Sequence, residues 1–403
     1  MTALKTPRHV PQLRFPKFRK AGAWEIKPIS KLAQLAKGVQ LNRAAITGGE
    51  FPVWNGGVTP SGFHNEWNTE GETITISEGG NSCGFVNRGN QRFWLGGHCY
   101  ALENLSSEVD GDFLFQSLKS KQAEIMRLRV GSGLPNIQRH DLERFPVVFP
   151  HPSEQQKIAE CLGNLDDLIA AEGRKLEALW QHKRGLMQQL FPPPGETVPW
   201  LRFPEFRCCP DPEARELGDV CAIVNGGTPK STVAEYWGGD VQWLTPKDMG
   251  QMDGREICLT PRTISQSGLD RSSTELVPER SVIVSTRAPI GHLAINTTPM
   301  AFNQGCRGLV PGDEIGYLFL YYFLAASRDR LKKLGAGGTF KELSVSSLKT
   351  VTITLPVLEE QRRIADCLGS LDDLIEAEDW KIGALRLHKQ GLMQQLFPSL
   401  DTE

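Results

Sequence analysis

Two lysines stand directly after turn prolines: Lys230 closes Gly226-Gly-Thr-Pro-Lys230, and Lys247 follows Pro246 in Trp243-Leu-Thr-Pro-Lys-Asp248. That placement carries an ammonium group to a loop tip, where it meets a phosphate oxygen or the O6/N7 edge of guanine, or stays solvated. Arg287 sits at the end of a predicted strand, before Ala-Pro-Ile-Gly291, and suits the same contacts. Asn303-Gln304 supply the paired amide donor and acceptor that match adenine N6/N7; the alternative is that they cap a turn. Lys341, in Gly337-Gly-Thr-Phe-Lys341, suits contact with a sugar-phosphate backbone or stays solvated. In the first half of the chain, Arg88, Asn90, Gln91 and Arg92 read as a polar loop between short strands at Phe85-Val86 and Phe93-Trp94, and Asn81-Ser82 follows a glycine pair.

Groups for bond-making chemistry do not assemble in the sequence. No D/N-P-P-Y/F string for amino methylation occurs; Phe191-Pro-Pro-Pro lacks the polar side chain that accepts the adenine amino hydrogens. There is no G-x-x-x-x-G-K-[ST] loop, and Pro210-Asp211 does not continue into a nuclease core of two carboxylates and a lysine. His98-Cys99 is read as a satisfied core histidine beside a buried thiol, because two residues do not make a metal site. The nine cysteines show no C-x-x-C pairing, which favours reduced thiols. The chain by itself is expected to be inert, with no catalytic residue, no metal and no bound cofactor.

The elements that position these loops are announced by repetition. Residues 153–192 return as 359–398 at an offset of 206, about two-thirds identical, and Leu13-Arg-Phe-Pro-Lys-Phe18 returns as Leu201-Arg-Phe-Pro-Glu-Phe206. Each long repeat opens on proline and acidic residues and stops at Leu-Phe-Pro, as a helix should. Its seam steps alternately by four and three: Ile158, Leu162, Leu165, Ile169, Glu172, Leu176, Leu179, Lys183, Leu186, Leu190. The second copy reads Ile364, Leu368, Leu371, Ile375, Glu378, Ile382, Leu385, Lys389, Leu392, Leu396. Sustained a/d spacing predicts a coiled coil of helices roughly 50 Å long. An antiparallel register with residue numbers summing to 561 sets Glu172 against Lys389 and Lys183 against Glu378. The register one heptad away overlaps more apolar residues but sets Glu172 against Ile382. The charge argument selects the first; the alternative is that Glu172 and Lys183 reach solvent.

Between these repeats lie segments rich in glycine turns and short β-branched runs, Thr73–Ser77, Ser281–Ser285 and Val351–Leu355, with a predicted helix over Glu314–Leu334. The fold class expected is α+β, with two mixed globular domains and a pseudo-two-fold internal repeat. The boundaries are 1–150, helix 151–192, linker 193–200, second domain 201–356, helix 357–398 and tail 399–403. No run of about 18 apolar residues predicts a membrane span, and the first 30 residues lack a signal-peptide core, so a cytoplasmic location is expected.

Net charge is only −2, but it is unevenly divided. Residues 1–150 hold 18 basic against 13 acidic residues and 201–356 hold 17 of each, whereas the two helical stretches hold 10 basic against 17 acidic. Phosphate contact therefore belongs to the variable segments, and the acidic helices suit protein partners.

The layout of Phe-Pro marker, variable domain, Glu-Gln-x-x-Ile-Ala-x-Cys-Leu-Gly-x-Leu-Asp-Asp-Leu-Ile helix and Gln-Gln-Leu-Phe-Pro, repeated once, resembles the specificity subunit of type I restriction-modification systems. The second domain adds Gly226–Lys230, Tyr236-Trp-Gly-Gly-Asp240, Trp243–Asp248, Arg287–Gly291 and Asn303-Gln304. The first lacks GGTPK and RAPIG. The resemblance implies two target recognition domains, each reading half of a bipartite, asymmetric DNA target, with the coiled coil fixing the gap. It implies two modification subunits that dock on the acidic helices and methylate adenine with S-adenosylmethionine; from the helix charge, exposed acids such as Asp166 and Asp372 are expected to matter for that docking. It also implies restriction subunits that use ATP and Mg. Two other readings stay open: a coiled-coil adaptor with two protein-binding heads, and the specificity component of a fused methyltransferase-nuclease system.

Overall fold

The β-branched runs become strands because their side chains are buried on both faces: Ile74–Ser77 and Val282–Ser285 are buried at every position. The computed structural model describes residues 9–46, 48–131, 133, 135–335 and 342–399. It divides into two units, one of residues 1–173 with 381–403, the other of residues 174–380. Both divisions fall inside a long helix, Pro152–Leu190 or Leu358–Leu396, so each unit holds the first part of one and the last part of the other.

In the first unit a four-stranded antiparallel sheet runs in the order Gln34–Lys37, Cys99–Glu103, Ile74–Ser77, Val86–Arg88. A second sheet sets Phe51–Trp54 between Phe63–His64 (antiparallel) and Trp94–Leu95 (parallel). Glu25–Pro28 pairs with Pro146–Phe149 near the start of the long helix. The helix Gly111–Ser120, capped by Asp110 accepting from Phe113 N, buries Phe113, Leu114 and Leu118 in a core shared with Ile158, Leu162, Leu396 and Phe397.

The second unit repeats this plan. Cys221–Asn225, Cys306–Pro311, Val282–Ser285, Leu293–Asn296 and Glu256–Ile257 form a five-stranded sheet. Trp237–Leu244 lies between Thr263–Ile264 (antiparallel) and Met300–Phe302 (parallel), and Glu213–Glu216 pairs with Thr352–Leu355. The helix expected over 314–334 is two helices, Tyr317–Ala326 and Arg328–Gly335. The first is apolar almost all round and buries Phe319, Leu320, Tyr322, Phe323 and Leu324; the second is basic and buries Leu331 and Gly335. The chain turns at Ser327, whose N–H donates to Phe323 O at 2.9 Å, to present these different faces.

The short Leu-Arg-Phe-Pro repeat also has a structural task. Arg14 donates to both carboxylate oxygens of Glu154 at 2.7 Å and to Ala21 O and Gly22 O. Arg202 does the same to Glu360, at 2.9 and 2.6 Å, and to Cys209 O and Pro210 O. The carboxylates are only 1% and 2% exposed, so loss of one partner would strand a buried charge at about 3–5 kcal/mol. Beside them Gln155 spans Pro150 O, Glu108 O and Asp110 N, and Gln361 spans Pro356 O, Glu314 O and Gly316 N. The Glu-Gln of each helical repeat thereby ties the helix start to the sheet and to the helix beside it.

The register summing to 561 is not the one adopted. In the first unit Lys389 Nζ meets Asp166 at 2.6 Å, and Lys381 pairs with Glu172. In the second, Lys183 pairs with Asp372, and Lys175 meets Glu378 at 2.5 Å. These partners sum to 553–555, the register one heptad away. Within each unit the contacts run in opposite senses along the two long helices. The expected register pairs seam positions only with one another, whereas Asp166 and Asp372, each one residue after a seam leucine, and Lys175 and Lys381, each one residue before a seam position, supply the partners. Greater apolar overlap then decides, with Ile375, Ile382, Leu190 and Leu396 all buried. Asp166 and Asp372 are therefore not free acids. Each also accepts a hydrogen bond from its own domain, Asp166 from Gln116 Nε2 at 2.7 Å and Asp372 from Tyr322 Oη at 2.6 Å.

Candidate nucleic-acid interface

Four loops that are far apart in sequence meet at one end of the second unit. Strand Cys221–Asn225 runs into Gly226-Gly227-Thr228-Pro229-Lys230, and the glycines are required by the approach of a neighbouring loop. A Cβ on Gly226 would lie 2.0 Å from Asn303 O. Gly227 N donates to Phe302 O at 2.9 Å, and its carbonyl accepts from Trp243 Nε1 at 3.0 Å. Strand Trp237–Leu244 ends in the short helix Pro246–Met249, where Thr245 and Asp248 form a reciprocal cap and leave Lys247 exposed. Asn303 N donates to Leu244 O at 2.9 Å, and Thr286 N donates to Gly305 O at 2.8 Å, so all four loops touch.

Within this cluster the candidate side chains differ in freedom. Lys230, Lys247 and Gln304 are exposed, and the lysines have no ion-pair partner among the described residues. Gln304 Oε1 accepts from the Thr228 hydroxyl, which holds the amide against the glycine loop. Asn303 Oδ1 accepts from Gly305 N at 2.9 Å and so serves the turn. Arg287 is half exposed and meets Glu342 at 3.0 Å. Lys341 lies outside the described residues.

Sequence reasoning missed the two arginines, Arg307 and Arg262, that hold this end together. Arg307 is mostly buried, donates to Gln304 O and Cys306 O, and shares Glu342 with Arg287. Burial lowers its pKa from the usual guanidinium value. Trp237 and Trp243 stack edge-on at 5.1 Å, with Arg262 over both rings, and Trp237 Nε1 reaches Lys230 O at 3.3 Å. Trp237 and Trp243 lie within the motifs Tyr236–Asp240 and Trp243–Asp248, whereas Arg262 and Arg307 stand outside every motif.

In the first unit the chosen residues are dispersed. Arg88 is not in a loop but ends strand Val86–Arg88, bound to Glu72 and Asp112 and lying over Phe115. Those carboxylates raise its pKa against the opposing effect of burial, which is the largest single influence. Arg92 pairs with Glu70 at 2.9 Å and stacks on Trp67 at 4.2 Å. Asn81 is exposed in the turn after Gly79-Gly80. His98 is exposed, not a core histidine, because Gly96-Gly97 brings it out at a loop. Cys99 is buried, accepts from Gly56 N, and has its thiol pKa pushed up to about 11 by burial. No group of three or more metal-ligating side chains occurs among the described residues, and none of their helices is long and apolar enough to cross a membrane.

Two mixed α/β units, each holding parts of both copies of a repeated helix, the second closing in a cluster of polar loops, define the class. Residues 22–181 and 211–385 match the model of the type I restriction modification DNA specificity domain, and the chain belongs to that family. The specificity subunit of the type I restriction enzyme MjaIX from Methanocaldococcus jannaschii is 37% identical over 168 residues, 41% of this chain and 39% of that protein. The putative MjaX specificity subunit of the same organism is 27% identical over 266 residues, 65% of this chain and 60% of its own. The match thus spans about two-fifths to three-fifths of the length of these relatives. A crystal structure of a type I restriction-modification S subunit from M. genitalium shares the fold at TM-score 0.67 and 21% identity, covering 97% of this chain and all of that one.

Proposed function

We propose that this chain is a sequence-specific, double-stranded DNA-binding specificity subunit that reads a bipartite, asymmetric target and has no catalytic activity of its own. The observation that carries the reading is the convergence of Gly226–Lys230, Thr245–Asp248, Thr286–Arg287 and Asn303–Gly305 in the second unit. The cluster presents exposed ammonium, guanidinium and amide groups, the set that contacts phosphates and major-groove base edges. Domains 1–150 and 201–356 each take one half of the target. The helices 151–192 and 357–398 pair as an antiparallel coiled coil around a pseudo-two-fold relation between repeats. Two modification subunits that bind S-adenosylmethionine methylate adenine at the site, and restriction subunits use ATP and Mg; this chain holds none of these. A cytoplasmic location follows from that role.

Binding of the full chain to duplex DNA should weaken steeply as salt rises, with one target preferred over random duplex. A chain that binds no duplex at low salt but captures protein partners through its heads would be an adaptor instead.

A further inference from the structure

The second unit's loop cluster has a counterpart in the first that its sequence conceals. Ser77 lies opposite Cys99 on neighbouring strands as Ser285 lies opposite Cys306. A Cβ on Gly38 would fall 2.2 Å from Gly96 O, as one on Gly226 would fall 2.0 Å from Asn303 O. Gly96 N donates to Trp54 O at 2.8 Å, as Asn303 N donates to Leu244 O at 2.9 Å. Gly79 bridges Asn136 where Arg287 bridges Glu342. These contacts place Gln40 at the position of Thr228, Asn55 at that of Thr245, and Gly97-His98 at that of Gln304-Gly305.

One exchange stands out. In the second unit the amide of Gln304 reaches across to Thr228; in the first the amide sits on the opposite loop. Gln40 Oε1 lies 2.8 Å from where a Cβ on Gly97 would be, so the missing side chain of one loop makes room for the long side chain of the other. Gln40 is exposed, and its amide has no hydrogen-bond partner among the described residues. His98 is exposed one residue after Gly97, and its backbone N–H donates to Asn55 Oδ1 at 3.4 Å, which leaves the Asn55 amino group and the His98 ring to make other contacts. By contrast, Arg88 and Arg92 are each held by carboxylates elsewhere.

Resting on the reading that these heads bind DNA, we propose that Gln40, Asn55 and His98 read the base edges of the half-site taken by the first domain. Amide and imidazole groups make this a reader of donor–acceptor pattern, with Gln40 suited to adenine N6/N7. The first head's selectivity is then set by loops 38–40, 55–57 and 96–98.

The test uses the full chain and a pool of duplex DNA with a randomised core, selected by binding and sequenced. Wild type should enrich two separated blocks of sequence. Gln40→Ala and His98→Ala should each relax preference at a base pair in one block by about tenfold and leave the other block intact. Gln304→Ala should act on the other block. Melting curves identify any misfolded variant; Gln40→Asn, one methylene shorter, then serves in its place. If wild type enriches two blocks and folded variants at Gln40 and His98 leave both unchanged, this assignment is overturned while the DNA-reading function stands. Relaxation in the block that Gln304→Ala affects would also overturn it. Enrichment of no sequence by wild type would overturn both.

Discussion

Tyr322 donates its phenolic hydrogen to Asp372 Oδ2 at 2.6 Å, and the other oxygen of that carboxylate pairs with Lys183. One aspartate thus joins the buried helix of the second domain to both long helices of its unit. Hydrogen bonds to a charged acceptor contribute about 1.5–3 kcal/mol. Tyr322→Phe is expected to cost that much, and Asp372→Ala more, because it strands both the hydroxyl and the ammonium. Urea denaturation of the two single variants and the double variant would show strong coupling; independent losses would mean that the contact carries little energy.

The same pair predicts alkaline sensitivity. Burial, first, and then Asp372 raise the Tyr322 pKa well above that of an ordinary phenol. Its contribution is therefore complete below about pH 10 and declines as pH rises toward the folded value. Wild type should lose stability above pH 10 more steeply than Tyr322→Phe. Parallel pH profiles for the two would contradict this.

Lys119 should behave in the opposite sense. It donates to Val86 O and Gln122 Oε1, and burial, with Lys389 nearby, pushes its pKa down to about 8. The folded form disfavours the proton that the unfolded chain retains up to about pH 10.4. Stability should rise between those values as the penalty is relieved, and Lys119→Met should flatten that rise. A profile unchanged by the substitution would show that Lys119 is not desolvated.

The register of the long helices can be read by coupling. Lys389 and Asp166 should show an interaction energy of about 0.5–1 kcal/mol in a double-mutant cycle, and Lys389 with Glu172 much less. The reverse ranking would restore the register that pairs Glu172 with Lys389.

The sequence disclosed most where one element repeats its own chemistry. The long helices end within one or two residues of where the proline and Leu-Phe-Pro signals put them, and the buried runs at 74–77 and 282–285 are strands. The helix register was missed because the decisive partners, Asp166 and Asp372, lie off the seam and face the domains as well. The motif loops of the second domain stood out because Gly226 and the tryptophans leave a readable trace. Those of the first domain did not, because Gln40 and His98 sit in loops shaped by backbone approach at Gly38 and Gly96, and such approach depends on partners distant in sequence.

The central claim is that each head reads its own half of a DNA target. Replacing residues 203–356 by the corresponding domain of another family member, and sequencing the adenine methylation made with the modification partner, tests it most directly. One half of the methylated sequence should change while the other half and its methylation persist. Loss of both halves in a chain that still folds and assembles, or no change in either, would contradict the account.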